Sequence, residues 1–245
     1  MCWREVILTS FVGLIREINR YPVKSFAGES LESCAIHSYG LYGDRFCAFL
    51  DETKEGWSRF ITARTIPNML AYKANLVDDE IGITSSEGLT YKWNEELLLE
   101  IQKLTKRKIS LSDYRARHPE NSDLMSVDAA SVLIITDSSL HKLEQLWGKN
   151  LDPNRFRANI VIAVDESAGD ETDWIGKRLF IGDVELQVDT FCERCSMITI
   201  DPATLQRDST LLKEVNEQMN LQFGVYASVK QSGHLQVGQQ VFLSS

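Results

Sequence analysis

The chain has 245 residues, 43% of them apolar and 25% charged, with a formal net charge of -9. That length builds one large or two small domains, and the composition is that of a globular protein rather than a disordered one. The acidic balance argues against broad binding to nucleic acid or to an anionic membrane surface, while leaving room for a local basic pocket around one small anion. Five cysteines, an odd number, argue against a disulfide framework and for a reduced, cytoplasmic setting. Met1-Cys2-Trp3-Arg4-Glu5 carries charge at once and lacks the form of a targeting segment. No stretch approaches the roughly 20 apolar residues that a spanning helix needs.

In chain order, Val12 to Arg20 reads as a strand stopped at Tyr21-Pro22. Glu32 to His37, Arg45 to Asp51, Met69 to Val77, Ile81 to Thr84 and Thr90 to Trp93 follow as short strands separated by turns, a pattern that suggests a small barrel. Leu97 to Lys106 carries Leu98, Ile101 and Leu104 at helical steps, with a basic end at Lys106-Arg107-Lys108 placed to cap the helix dipole or simply to be solvated. Asp113 to Ser126 is polar and irregular, and a domain boundary falls near it. Ser131 to Thr136 is a continuous apolar run, as in a buried strand. Leu140 to Trp147 is helical, Arg155 to Ile162 enters a strand, Leu211 to Met219 is helical, and Tyr226 to Lys230 and Gln240 to Leu243 are late strands.

Three constellations carry chemistry. The first is Cys192-Glu193-Arg194-Cys195, between the alternating Ile181 to Val188 and the β-branched Ser196 to Ile200, which places two thiols in a short loop between extended segments. A thioredoxin-like pair needs a helix N-terminus to lower its thiol pKa, and the residues after Cys195 are poor helix material. A structural zinc site needs a second Cys/His pair, and Cys34, Cys47 and the scattered histidines His37, His118, His141 and His234 do not supply one. Buried structural thiols are the default, weakened by the polar Thr190, Glu193 and Arg194 nearby. A thiolate here is also a candidate soft ligand for a heavy metal.

The second constellation joins Tyr21-Pro22-Val23-Lys24-Ser25 to Asp44-Arg45-Phe46. Lys24, Ser25 and Arg45 offer an ammonium, a hydroxyl and a guanidinium fork, the donors a phosphate requires. The third is Phe156-Arg157-Ala158-Asn159, read as a strand start that presents Arg157 and Asn159 on one face at i and i+2. Arg64, in Thr62-Ala63-Arg64, is a further candidate anion contact. Each of these cations, taken singly, reads equally as a surface residue or a salt-bridge partner. Asp201-Pro202 reads as a turn after the cysteines.

Taken together and in order, these stretches resemble the MOSC superfamily, the molybdenum cofactor sulfurase C-terminal domains. Within it they are most similar to the amidoxime-reducing components and their bacterial relatives. The resemblance also takes in Asn154-Arg155, Ile181-Gly182-Asp183-Val184 and Val237-Gly238-Gln239-Gln240-Val241, and so covers nearly the whole chain. It implies a mostly β fold with a few helices: an N-terminal β-barrel domain over residues 1–110, then a MOSC β-barrel domain over 111–245, with a molybdenum–molybdopterin cofactor between them.

Carried over residue by residue, the resemblance makes Cys195 the thiolate that ligates molybdenum and the catalytic residue. Lys24, Ser25, Arg45, Arg157 and Asn159 become pterin or phosphate contacts. Glu193, Arg194 and Tyr226 flank the cofactor, and Cys192 is a neighbour rather than a ligand. The implied reaction is two-electron reduction of a small N-hydroxylated compound, whose oxygen leaves as water. With no iron–sulfur domain in this sequence, its electrons are expected from a separate ferredoxin-like or cytochrome b5-like protein. Two alternatives stand beside it: a sulfur carrier using a Cys195 persulfide, and a cofactor-binding module without turnover. Where relatives carry Thr or Ser, this chain has Asp128-Ala129-Ala130-Ser131, so a cofactor-directed hydroxyl is expected to be lost or to have moved to Ser131.

Overall fold

The computed structural model describes residues 8–127, 129–165 and 168–244. Its strands are β1 (Thr9–Arg20), β2 (Glu29–Leu31), β3 (Ser33–His37), β4 (Gly40–Leu41), β5 (Phe49–Asp51), β6 (Lys73–Val77), β7 (Glu80–Thr84), β8 (Thr90–Lys92), β9 (Ile109–Leu111), β10 (Val132–Thr136), β11 (Ile160–Val164), β12 (Arg178–Ile181), β13 (Val184–Glu193), β14 (Gln222–Gln231), β15 (Gly233–Gln236) and β16 (Gln240–Ser244). Three helices accompany them: α1 (Glu95–Gln102), α2 (Asp137–Trp147) and α3 (Ser209–Met219).

Seven strands close into a barrel in the order β11-β10-β14-β13-β12-β16-β1, and β1 returns to β11; β2 adds to the outer edge of β1. Closure follows from period-two patterning. Val184, Leu186 and Val188 of β13, Leu179 and Ile181 of β12, and Val241 of β16 all point inward and are at most 1% exposed. β1 makes the ring possible. It pairs antiparallel with β16 along its first half and with β11 along its second, and register shifts at Phe11/Gly13 and Ile15/Glu17 bend it from one partner to the other. The first strand of the chain is thus built into the same barrel as the last, across the expected division at 110/111. β10 is buried along its whole length, since it runs parallel to β11 and packs beneath α2.

A second core lies outside the ring, around Phe26, Phe46, Phe49, Met69 and Leu97, under the small sheets β5-β9 and β6-β7-β8. Arg20 ties it to the barrel. Its guanidinium donates to Glu29 Oε1 at 2.9 Å, to the Tyr42 carbonyl at 3.1 Å and to the Leu76 carbonyl at 2.9 Å.

Several sequence expectations need correction. The strand expected over Arg45 to Asp51 begins only at Phe49, because the chain turns through residues 42–45. Pro67–Ala71 is a 3-10 turn ahead of β6, so the strand expected from Met69 starts at Lys73. The stretch Ile181 to Val188 is broken by a hairpin at Gly182-Asp183, which joins β12 to β13. Helix α1 ends at Gln102, capped at its start by the Asn94 side chain. The basic residues beyond it do not cap its dipole: Arg107 pairs with Asp51 at 2.8 Å and Lys108 with Glu52 at 2.6 Å. Asn154 to Asn159 is not a strand start. Pro153–Phe156 forms a 3-10 turn, Arg157 follows in the left-handed region with φ 55°, and β11 begins at Ile160.

Candidate functional site

One cleft gathers the residues singled out from sequence. It encloses about 790 Å³ with its open mouth included, and Lys24, Ser25, Arg45, Arg157, Asn159, Glu193, Arg194, Cys195 and Tyr226 all line it. The turn after β1 brings Lys24 and Ser25, the turn after β4 brings Arg45, the turn before β11 brings Arg157 and Asn159, the end of β13 and the segment after it bring Glu193, Arg194 and Cys195, and β14 brings Tyr226.

The cysteines differ in setting. Cys192 lies in β13, 2% exposed, among the apolar residues between the barrel and helices α2 and α3. Cys195 is half-buried and stands at the head of a 3-10 turn, Ser196–Thr199, where an extended segment was expected. Its Sγ lies 3.9 Å from Arg64 Nη1. Arg207 holds the two sides together, donating to the Arg64 carbonyl at 2.8 Å, to Thr199 Oγ1 at 3.2 Å and to the Ser196 carbonyl at 3.4 Å. The remaining described thiols are buried away from this cleft, and burial pushes Cys34 up to about 11 and Cys47 higher still.

The cations are held by carbonyls and carboxylates. Lys24, 5% exposed, donates to the Ser126 carbonyl at 2.9 Å and sits 4.3 Å from the centre of the Trp57 ring. Arg45 pairs with Asp44 at 2.6 Å. Arg157 donates to the Phe26 carbonyl at 2.6 Å. Arg194, 7% exposed, donates to the carbonyls of Phe223 at 2.7 Å and Phe156 at 3.1 Å, which leaves its Nη2 buried with no hydrogen-bond partner among the described residues. An unsatisfied buried guanidinium nitrogen is costly.

Asn159 is more committed than its sequence reading implies. Its Oδ1 accepts from the Leu133 amide at 3.1 Å, and its Nδ2 donates to the Asn19 carbonyl at 3.3 Å, which stitches β10 to β1. Only part of that amide faces the cleft. Ser131 is no substitute hydroxyl: it is buried, donates to the Ala227 carbonyl at 3.2 Å and is not part of the lining, whereas Ala130 is. Asp128 lies outside the described residues.

Sequence reasoning left out of its site the lining residues Arg155, Thr62 and Met197. Arg155 could have been found from its spacing, two residues before Arg157. It is 6% exposed and pairs with Asp201 at 2.6 Å. Asp201 therefore does more than close a turn. Its carboxyl is held below the usual range, first by the Thr204 backbone amide and further by the Thr204 hydroxyl and Arg155. Ser25, Arg45 and Arg157 share another property: all three hold positive φ, at 68°, 51° and 55°. Non-glycine residues pay for that conformation, which Asp78, Asp79, Arg115, Leu205, Asn220 and Leu221 also adopt away from the cleft. Among the described residues no group of three or more His, Cys, Asp or Glu is disposed to hold a metal by protein ligands alone.

Fold and cleft together define a closed β-barrel protein whose long cleft combines one accessible thiol with a bed of arginines and a lysine. The MOSC N-terminal beta barrel domain matches residues 12–134 and the MOSC domain matches 121–242, so the chain belongs to the MOSC family. Mitochondrial amidoxime reducing component 2 of Bos taurus is 25% identical over 94% of this chain and 83% of its own length. The human protein of the same name is 26% identical over 94% of this chain. Molybdenum cofactor sulfurase of Drosophila persimilis is 33% identical over 51% of this chain, a match that takes in 16% of that protein. The YUAD protein of Bacillus subtilis shares the fold, with a TM-score of 0.55 at 11% identity over 98% of this chain and 99% of that one.

Proposed function

We propose that this protein is a molybdenum-cofactor-binding oxidoreductase that reduces N-hydroxylated compounds with electrons from a separate ferredoxin-like or cytochrome b5-like protein. The observation that carries the proposal is the cleft itself: an accessible thiol, Cys195, shares one lining with the cations Lys24, Arg45, Arg64, Arg155 and Arg157. A soft metal takes the thiol as a ligand and an anionic pterin tail takes the cations. Since protein ligands alone do not make a metal site among the described residues, the rest of a metal's coordination would come from the cofactor.

In this reading Cys195 ligates the metal. Lys24, Ser25, Arg45 and Arg157 bind pterin or phosphate, joined by the part of Asn159 that faces the cleft, while Glu193, Arg194 and Tyr226 border it. The cofactor, when bound, supplies the two-electron chemistry. The chain supplies orientation: Arg207 sets the spacing of the Cys195 turn from Arg64, and left-handed turns aim Arg45 and Arg157 into the cleft. The division into a 1–110 unit and a 111–245 unit belongs to the same proposal, with β1 as the strand they share. The similarity to molybdenum cofactor sulfurase supports a second reading, sulfur carriage on Cys195.

Metal and fluorescent-pterin analysis of protein from a host that makes the cofactor separates the two readings. Bound molybdenum and pterin, with reduction of benzamidoxime by an artificial electron donor, is the expected result. Protein that carries a Cys195 persulfide and no molybdenum would establish the second reading in its place.

A further inference from the structure

Two of the arginines in the cleft share one aromatic ring. The Arg45 guanidinium carbon lies 4.6 Å from the centre of the Tyr21 ring, and that of Arg157 lies 4.2 Å from it. The two arginines reach it from distant parts of the chain, Arg45 from the turn after β4 and Arg157 from the turn before β11. Tyr21 itself does not line the cleft. It is 4% exposed and pinned on three sides: its amide donates to Asp44 Oδ1 at 2.8 Å, its carbonyl accepts from the Arg45 amide at 2.8 Å, and its hydroxyl donates to the Ala158 carbonyl at 3.5 Å. Burial pushes the phenol up even though both guanidiniums pull it down, so the ring is neutral and offers them its π face rather than a countercharge.

Asp44 supplies one carboxylate to this group, against Arg45. Two guanidiniums, each ordered by the same aromatic ring and by left-handed backbone, are arranged in advance for an anionic ligand. We propose that Tyr21 is a positioning residue whose ring holds Arg45 and Arg157 as a preformed clamp for a phosphoryl dianion. This rests on the reading of the cleft as a site for a phosphate-bearing cofactor. It gives Tyr21 a role that neither charge nor hydrogen bonding to the ligand would supply.

The test uses the full chain prepared without cofactor, with inorganic phosphate as the probe in calorimetric titration. Y21F keeps the ring and should bind as the wild type does. Y21L should bind about tenfold more weakly, the scale of a desolvated cation–π contact. In an R157M background, where the ring holds Arg45 alone, Y21L should cost less than it does in the wild type. A role confined to general packing would instead lower affinity equally in both backgrounds, and that outcome overturns the proposal, as does Y21L binding like the wild type. Nitrogen-15 spectra provide a check that does not depend on how well Y21L folds. The Arg45 and Arg157 Nε–H signals should be displaced by the ring current in the wild type and in Y21F, and undisplaced signals in the wild type overturn the proposal. Failure of the wild type to bind phosphate would overturn the cofactor reading and this inference with it, whereas binding that is insensitive to Tyr21 removes the inference alone.

Discussion

Gly224 offers a quantitative test of how closely the barrel is fitted to the cleft. It lies in β14 with φ +79°, and a Cβ added there would stand 2.6 Å from Ile135 Cγ2, 2.9 Å from the Ile134 carbonyl oxygen and 3.2 Å from Arg194 Nη2. The carbonyl belongs to β10 backbone and cannot rotate away. Gly224→Ala therefore combines two costs. A side chain at positive φ costs about 1 kcal/mol, and overpacking against fixed neighbours costs about 1–3 kcal/mol. The total, about 2–4 kcal/mol, corresponds to a fall of roughly 4–16 °C in Tm for a chain of this size. Gly148, at φ +69° after α2, is the control, since nothing lies within 4 Å of its added Cβ. Gly148→Ala should cost only the conformational part, about 1 kcal/mol. Urea and thermal melts of both variants measure the difference. Because Arg194 must also give way, Gly224→Ala should retain less molybdenum than Gly148→Ala when both are made in a cofactor-producing host. Equal destabilisation of the two variants would refute the argument that Gly224 is required by close approach of β10 and Arg194.

Cys195→Ser should lose most bound molybdenum by elemental analysis while its melting curve stays near that of the wild type, because the thiol is half-buried and outside the apolar clusters; undiminished molybdenum would remove the ligand assignment. Arg157→Ala should weaken cofactor retention by the worth of a charge-assisted hydrogen bond, about 1.5–3 kcal/mol, read as the pterin fluorescence left after dialysis; unchanged occupancy would contradict it. Glu171 is 1% exposed and accepts from Thr136 Oγ1 at 2.6 Å and Ser139 Oγ at 2.5 Å, yet burial outweighs these bonds and pushes its carboxyl above the usual range. Between the ordinary and the raised pKa the folded state keeps a proton that the unfolded state has released, so wild-type stability falls as pH rises through that window. Glu171→Gln should flatten that fall, and urea midpoints of the two proteins that run parallel from acid to neutral pH would count against it.

The amino-acid sequence by itself marked out residues that the fold gathers into one cleft. Cys192 to Cys195, the run from Tyr21 to Ser25, Asp44-Arg45 and Phe156 to Asn159 are legible because each motif is local, and Cys195 was singled out from Cys192 by the family resemblance. The strands of the barrel were legible for the same reason, since inward positions such as Val184, Leu186 and Val188 repeat at the period of a pleated backbone. Short strands such as β2, β4 and β9 were not, because two or three residues carry no period and are extended only where a distant partner pairs with them. Arg157 and Asn159 were read as neighbours on a strand, yet the backbone turns through the left-handed region at Arg157, which packing around Tyr21 and Phe26 stabilises and local propensity would oppose. The fates of the cations were likewise decided at long range. Arg107 went to Asp51, Arg155 to Asp201 and Arg64 to the side of Cys195, pairings that bridge 56, 46 and 131 positions. Ring closure through β1, β11 and β16 is the largest such decision. A strand's own pattern says which face is buried, but the strand it pairs with is chosen by the packing of the whole barrel.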